Sequence, residues 1–237
     1  MNDFPNPVPA LSAAVAPPFA KLLREMRVLT EIRRGWRMGP GLATDHDGQG
    51  RPVMVLPGFL ASDVSTVMLR RTLEAANFNV HGWGQGRNIG VRADMLERMD
   101  ARMDAVQRGG DAPVTLIGWS LGGLIAREYA KYAPHRVERV ITLGSPFSGD
   151  LRANHAWRLY ELINRHPVDR VPIPVTLTEK PPVPTFALWS ENDGIVAPRC
   201  ARGLPHESDR SYQVACGHMG FTTSPDSIHA ILEAMDA

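Results

Sequence analysis

The chain has 237 residues, of which 43% are hydrophobic and 22% charged, and its formal net charge is +1. This length and composition are typical of one globular core and exclude a disordered, collagen-like or coiled-coil chain. The balanced charge lacks the basic excess that nucleic-acid binders normally show. No apolar run reaches the roughly 20 residues of a membrane-spanning helix. Two cysteines are too few for a disulfide-rich scaffold or a four-cysteine zinc site.

We expect a single domain over residues 1–237, in which residues 1–50 form an N-terminal arm and a helix. The start, M-N-D-F-P-N-P-V-P-A, lacks a basic region followed by an apolar core, which predicts a cytoplasmic protein without a secretory signal. Residues 17–36 carry apolar side chains at helical spacing and basic side chains on the other face. We expect this helix to pack on the domain, with contact to an anionic membrane surface as the alternative.

From residue 52 onward, short apolar runs alternate with amphipathic stretches, which predicts a mostly parallel central sheet with helices on both faces. Residues 147–184 interrupt the alternation with a helix-like stretch at 155–165 and a proline-rich run, and we expect a small cap insertion there. The predicted strands are 52–56, 79–83, 113–119, 139–143, 185–189 and 211–215, and the predicted helices are 63–76, 91–107, 121–132 and 225–235.

The residues G-W-S-L-G-G, at positions 118–123, contain a G-x-S-x-G motif around Ser120. An apolar strand precedes this serine and an amphipathic helix follows it, which is the setting of a nucleophile on a tight strand–turn–helix. The glycines give the turn room, and the hydroxyl then stands at the carboxyl edge of the sheet, beside the positive end of a helix. The alternative is a glycine-rich turn in which the serine only caps the helix.

A serine hydroxyl needs a base, and the chain has eight histidines. His218, in C-G-H-M-G-F, directly follows the last predicted strand, whereas His206 lies in a polar connection and His229 in the final helix. Hydrolases with such a strand–turn–helix carry the serine, the acid and the histidine in that order. Asp193, in S-E-N-D-G-I-V, follows the preceding strand and is the predicted acid that orients the histidine. Glu191 is its rival.

Two backbone N–H groups are predicted to form an oxyanion hole. One belongs to Leu121, directly after the nucleophile, and the other to Phe59, in the loop L-P-G-F-L-A-S after the first strand. We further expect Trp119, beside the nucleophile, and Trp157 and Tyr160, in the insertion, to contact the substrate.

Two other features lie near these loops. Cys200 and Cys216 flank the predicted acid and base, so a disulfide between the two loops is one expectation and reduced thiols are the other. The glycine-dense residues 81–88 lack the pattern of a phosphate-binding loop and are interpreted as a wall of the cleft, with Trp83 and Arg87 as contacts.

Taken together, these motifs resemble those of bacterial α/β-hydrolases of the lipase/esterase type, over residues 52–237. The matching pieces are L-P-G-F-L-A-S, G-W-S-L-G-G, L-G-S-P-F, S-E-N-D-G-I-V and C-G-H-M-G-F. One departure is Pro57-Gly58, where many relatives have His-Gly. The resemblance implies the α/β-hydrolase fold and no cofactor or metal. It also implies a nucleophile, acid and base at Ser120, Asp193 and His218, with oxyanion donors at Phe59 and Leu121.

The leading hypothesis is a serine carboxyl-ester hydrolase that acts on short to medium acyl esters, with a small-molecule substrate and no nucleic-acid partner. An acyltransferase, a lactonase or a cofactor-free perhydrolase would use the same fold, because fold alone does not determine the reaction. Product analysis with an added alcohol or peroxide separates these reactions. A non-catalytic binding module is a further alternative, which covalent labelling of Ser120 by a phosphonate would argue against.

Overall fold

The protein is described by a computed structural model covering residues 16–18, 21, 25, 41, 46–150, 152–164, 167 and 171–237. In these ranges short strands alternate with helices along the chain. The strands are β1 (Pro52–Leu56), β2 (Asn79–Gly82), β3 (Val114–Trp119), β4 (Val137–Leu143), β5 (Thr185–Trp189) and β6 (Arg210–Gln213). The α-helices are α1 (Val67–Ala75), α2 (Met95–Val106), α3 (Leu121–Tyr132), α4 (Trp157–Asn164), α5 (Pro198–Arg202) and α6 (Pro225–Asp236).

The six strands form one sheet in the order β2-β1-β3-β4-β5-β6, and every neighbouring pair is parallel. The predicted parallel central sheet is therefore confirmed. The register places Leu56 of β1 beside Gly118 of β3, and Gly118 beside Thr142 of β4. The carboxyl ends of the central strands consequently meet at one edge, and the loops that leave this edge carry the candidate site.

Apolar side chains of the sheet are buried on both faces. Val53 and Val55 of β1 belong to the cluster covered by α1 and α6, whereas Met54 and Leu56 belong to the cluster covered by α2 and α3. Because helices cover both faces of the sheet, the strands appear in the sequence as continuous apolar runs rather than as an alternation of apolar and polar residues. This explains why the strands were recognisable without any knowledge of their neighbours.

Element boundaries differ from the predictions in two instructive places. The helix predicted to begin at residue 91 begins at Met95. Val91 lies outside the helix because its side chain lines a pocket and its N–H donates to the hydroxyl of Tyr160 over 3.3 Å. Helix α5 was not predicted, because its five residues are too short to show a helical period.

The insertion leaves β4 after Leu143 and returns at Thr185, and it contains α4 inside the predicted stretch 155–165. An isolated antiparallel bridge between Asn154 and Val196 attaches it to the loop after β5. The N-terminal helix predicted for residues 17–36 lies outside the described residues, apart from 17, 18, 21 and 25. In the ranges that the structure covers, each helix is too short or too polar to cross a membrane.

Candidate active site

Strand β3 turns directly into helix α3 at Ser120. This residue has φ 54° and ψ −120°, a left-handed conformation that a side chain with a Cβ rarely adopts. The turn is held by the N–H of Ser120, which donates to the carbonyl of Leu143 over 2.8 Å. A Cβ on Gly118 would collide with the backbone of Gly122, so the motif needs glycine there. The serine lines an apolar pocket, in the geometry predicted for a nucleophile elbow.

Asp193 and His218 form a buried pair, with 1% and 3% of their surfaces exposed. His218 Nδ1 lies 2.8 Å from Asp193 Oδ2, while Asp193 Oδ1 accepts the N–H groups of Ile195 and Val196, each over 2.8 Å. Both carboxylate oxygens are thus engaged and the carboxyl plane is fixed, which keeps the proton of a neutral imidazole on Nδ1. The rival acid, Glu191, is exposed.

The surroundings of His218 set its basicity. Burial of the imidazole opposes its protonation, but the charge of Asp193 and its hydrogen bond outweigh this, with a smaller contribution from Glu25, and raise the pKa of His218 above its ordinary 6.5. The hydrogen bonds of this residue in the described structure join it to Asp193, Glu25 and Trp119, and not to Ser120. Catalytic contacts of this kind commonly tighten only when substrate binds.

Trp119 does not contact the pocket, which corrects its prediction as a substrate contact. Its side chain is 4% exposed and lies in the core beneath the base loop. The indole Nε1 donates to the carbonyl of His218 over 3.1 Å, and the two rings lie 5.8 Å apart. Side chains alternate along β3, and at this position the alternation directs Trp119 into the sheet–helix layer rather than toward the cleft. Trp119 thus supports the histidine.

The two predicted oxyanion donors lie beside the serine. Phe59 and Leu121 line the same pocket as Ser120, and a Cβ on Gly58 would lie 3.2 Å from Ser120 Cβ, so the loop after β1 contacts Ser120. Within the described residues, no hydrogen bond uses the N–H of Phe59 or of Leu121. Two such donors beside a nucleophile are available to a developing negative charge.

The loop that carries Phe59 is held by Asn88, a residue that the sequence analysis did not single out. Asn88 is fully buried, and its Nδ2 donates to the carbonyl of Pro57 over 2.8 Å. Its backbone also exchanges hydrogen bonds with Leu60 (2.7 Å) and Ala61 (2.8 Å). No motif or spacing marks such a bracket, because its partners lie about 30 positions earlier in the chain.

Residues 81–88 therefore have a different role from the cleft wall that was predicted. Trp83 is 2% exposed in the core, and its indole nitrogen donates to the carbonyl of Gly86 over 2.8 Å. Arg87 donates to the carbonyl of Leu60 over 2.7 Å. Neither side chain belongs to the described lining of the pocket. The segment supports the oxyanion loop from behind.

The pocket at Ser120 has a volume of about 90 Å³, is partly open to solvent, and most of its walls are aliphatic. Tyr160 packs its ring against that of Phe59, with the ring centroids 5.4 Å apart. Trp157 of the same helix also lines the pocket, whereas Leu162 is 75% exposed. One wall is a helical stripe of α3, formed by Leu121, Leu124, Ile125 and Glu128. The cap supplies the facing wall with Trp157, Tyr160, Val171, Ile173, Val175 and Leu177.

Both cysteines are buried and are not joined by a disulfide, so the structure has the reduced thiols. Among the residues that the structure covers, no cluster of three or more histidine, cysteine, aspartate or glutamate side chains is arranged to hold a metal ion.

The family model described as the alpha/beta hydrolase fold matches residues 51–170, just over half of the chain. The chain therefore belongs to the α/β-hydrolase family, and its resemblance to the lipase/esterase type is confirmed. One curated relative is a pimeloyl-[acyl-carrier protein] methyl ester esterase of Photobacterium profundum, 30% identical over 125 residues that cover 51% of this chain and 46% of the relative. The chain thus spans less than half the length of that protein.

Two solved structures illustrate the shared fold. The serine hydrolase CarC, involved in carbazole degradation, superposes with a TM-score of 0.60 at 16% identity, covering 80% of this chain and 92% of its own. The carboxylesterase CesB from Bacillus subtilis superposes with a TM-score of 0.55 at 15% identity, covering 81% and 86%.

Proposed function

We propose that this protein is a serine carboxyl-ester hydrolase that works through an acyl-enzyme intermediate. The observation that carries the proposal is the buried hydrogen bond between His218 and Asp193 at the sheet edge where Ser120 occupies a strained turn on a pocket wall. A serine hydroxyl is a poor nucleophile until a base takes its proton, and an imidazole oriented by a carboxylate serves as that base.

In the first half-reaction, Ser120 Oγ attacks the carbonyl carbon of the ester while His218 Nε2 takes the hydroxyl proton. The N–H groups of Phe59 and Leu121 donate to the oxyanion that forms. The carbon–oxygen bond to the alcohol then breaks, and the alcohol leaves with the proton from His218. Water repeats the sequence on the acyl-enzyme, releases the carboxylic acid and restores Ser120. Asp193 stays ionised throughout and stabilises the imidazolium.

The length of the pocket supports short to medium acyl chains as substrates. The stripe of α3 runs from Ser120 to Glu128, and a helix rises about 1.5 Å per residue, so the groove is about 12 Å long. At its far end Glu128 pairs with Lys131 over 2.6 Å. A longer apolar chain would have to pack against this largely buried ion pair, which offers it no apolar surface. We therefore expect weak hydrolysis of long-chain triglyceride emulsions and little interfacial activation.

The curated relatives are named as methyl ester esterases, and methyl esters of medium-length acids suit this groove, because the acyl chain fills it while the alcohol is small. The proposal thus includes methyl esters beside the activated esters used as probes. The match covers only part of those relatives, so their acyl-carrier substrate is not carried over to this chain.

The test is hydrolysis of a series of p-nitrophenyl esters, from acetate to palmitate, combined with a fluorophosphonate probe and mass spectrometry. We expect the rate of hydrolysis to be highest for short to medium acyl chains and the probe to label Ser120 covalently. Ser120→Ala should abolish both the hydrolysis and the labelling. A protein that hydrolyses no ester and takes no label at Ser120 would contradict the proposal.

Adding methanol or butanol to the same assay distinguishes hydrolysis from transfer. A hydrolase releases mainly free acid, because water outcompetes the alcohol for the acyl-enzyme. An ester of the added alcohol as the main product would instead identify an acyltransferase.

A further inference from the structure

One carboxylate outside the proposed triad binds the loops of both its acid and its base. Glu25 Oε1 accepts the N–H groups of Gly194 (2.8 Å) and His218 (2.7 Å), and Oε2 accepts the N–H of Met219 (3.1 Å). Gly194 follows the acid directly, while His218 is the base itself. Hydrogen bonds to an ionised acceptor are about twice as strong as neutral ones, so these contacts hold the two loops together.

The two loops are shaped to receive this segment. A Cβ on Gly194 would lie 2.5 Å from the carbonyl oxygen of Lys21, and a Cβ on Gly217 would lie 2.9 Å from Glu25 Oε2. An alanine at Gly194 would displace the backbone at Lys21, whereas an alanine at Gly217 would require only the Glu25 carboxylate to shift. The Lys21 ammonium also donates to the carbonyl of Glu191 in the acid loop. The close contacts at the glycine beside the acid and at the glycine beside the base are therefore an independent sign that Lys21 and Glu25 pack on the site.

We propose that Glu25 is a positioning residue: it fixes the backbone of His218 relative to Asp193, so that the imidazole stays directed toward Ser120. The proposal rests on the proposed function, because it assigns to Glu25 the alignment of that triad. It also makes Lys21 and Glu25 part of the active-site framework, although they precede the first strand of the sheet. Glu25 itself acts through the backbone and does not contact the reacting atoms.

The negative charge of Glu25 has a second consequence. The charged groups that face His218 in the described structure are Asp193 from the loop after β5 and Glu25 from the N-terminal segment, while Lys21 donates to the carbonyl of Glu191 in the acid loop. Both carboxylates favour the protonated imidazole. Removal of the Glu25 charge is therefore expected to lower the pKa of His218, which Asp193 alone would then raise.

Two variants test the proposal. Glu25→Ala removes both acceptor oxygens and with them all three hydrogen bonds, and Glu25→Gln keeps one oxygen acceptor but removes the charge. The matched control is Asp209→Asn, because Asp209 also accepts a backbone N–H, that of Thr185 over 2.8 Å, at the opposite end of β5. With active sites counted by phosphonate titration, we expect Glu25→Ala to lower kcat about tenfold with little change in KM, since misalignment affects the transition state. The control should keep the wild-type kcat.

The pH readout separates positioning from general stabilisation. Glu25→Gln should move the acidic limb of kcat/KM to lower pH, and NMR titration of the His218 ring should show the same shift without any turnover. Wild-type kcat and an unmoved His218 titration in both Glu25 variants would overturn the proposal. A wild-type protein without esterase activity would overturn the proposed function, while the NMR titration would still decide the role of Glu25.

Discussion

Asp193 uses its two oxygens for different tasks. Oδ2 faces the imidazole of His218, and Oδ1 is held by two backbone N–H groups, so the carboxylate cannot rotate away from the histidine. The charge is buried with its hydrogen bonds satisfied, which is the condition under which a carboxylate stays ionised inside a protein.

This environment predicts the pH dependence of the activity. The base must be neutral to accept a proton, and the pKa of His218 is raised above 6.5 because Asp193 and Glu25 outweigh the effect of burial. Activity should therefore be lost as pH falls through a midpoint above 6.5. Asp193→Asn should lower kcat by about a hundredfold or more. Full activity in Asp193→Asn together with loss in Glu191→Gln would show that the acid is Glu191.

Asn88 offers a second prediction at the scale of single residues. Asn88→Ala leaves the buried carbonyl of Pro57 without its donor, so the free energy of unfolding should fall by about 1–3 kcal/mol. The loop of Phe59 loses its bracket, and kcat should fall about tenfold because the oxyanion donor is less well placed. The control is Gln107→Ala, whose amide donates to the carbonyl of Ala112 far from the site and whose loss should leave kcat unchanged. Equal kcat values in Asn88→Ala and Gln107→Ala would show that Asn88 does not position the loop of Phe59.

At the scale of elements, helix α4 presents two different faces. Trp157 and Tyr160 face the pocket, and Leu162 is 75% exposed on the outside. The helix therefore has two sets of apolar residues with separate roles, although they are mixed within eight positions of the sequence.

We expect Trp157→Ala and Tyr160→Ala to shift the preferred acyl length or to raise KM, because each removes apolar surface from the groove. Leu162→Ala, on the exposed face, is the matched control and should keep the wild-type profile. The measurement is kcat/KM across the p-nitrophenyl ester series. A change in melting temperature alone, with identical chain-length profiles in all three variants, would mean that α4 only stabilises the fold.

At the scale of the molecule, Arg127 joins three parts of the structure. This fully buried side chain of α3 donates to the carbonyls of Leu177 (3.4 Å) and Glu179 (3.1 Å) in the cap and of Glu207 (2.9 Å) before β6. It also lies 4.2 Å from the ring of Phe147. Burial lowers the pKa of Arg127 to about 10, although the negative charges of Glu207 and Glu128 act in the opposite direction. Arg127 therefore remains protonated at neutral pH.

Arg127→Met should lower the free energy of unfolding by about 2–4 kcal/mol, because it leaves the buried carbonyl and carboxylate of Glu207 without their cationic partner and the carbonyls of Leu177 and Glu179 without their donor. Arg210→Met is the control, since Arg210 is exposed and stacks on Tyr212 at the surface. Chemical denaturation of the two variants provides the measurement. A control that loses as much stability as Arg127→Met would show that the buried contacts of Arg127 add nothing specific.

Features that depend on neighbours in the chain could be predicted from the amino-acid sequence alone. Buried parallel strands are continuous apolar runs, and the turn at Ser120 needs glycine on both sides for steric reasons, so the sheet and the elbow were visible locally. Only the folded structure shows which distant residues position the loops of the site. Glu25 contacts His218 across more than 190 positions, and Asn88 braces Pro57. Such contacts leave no period or spacing, because they arise only when distant loops meet at one sheet edge.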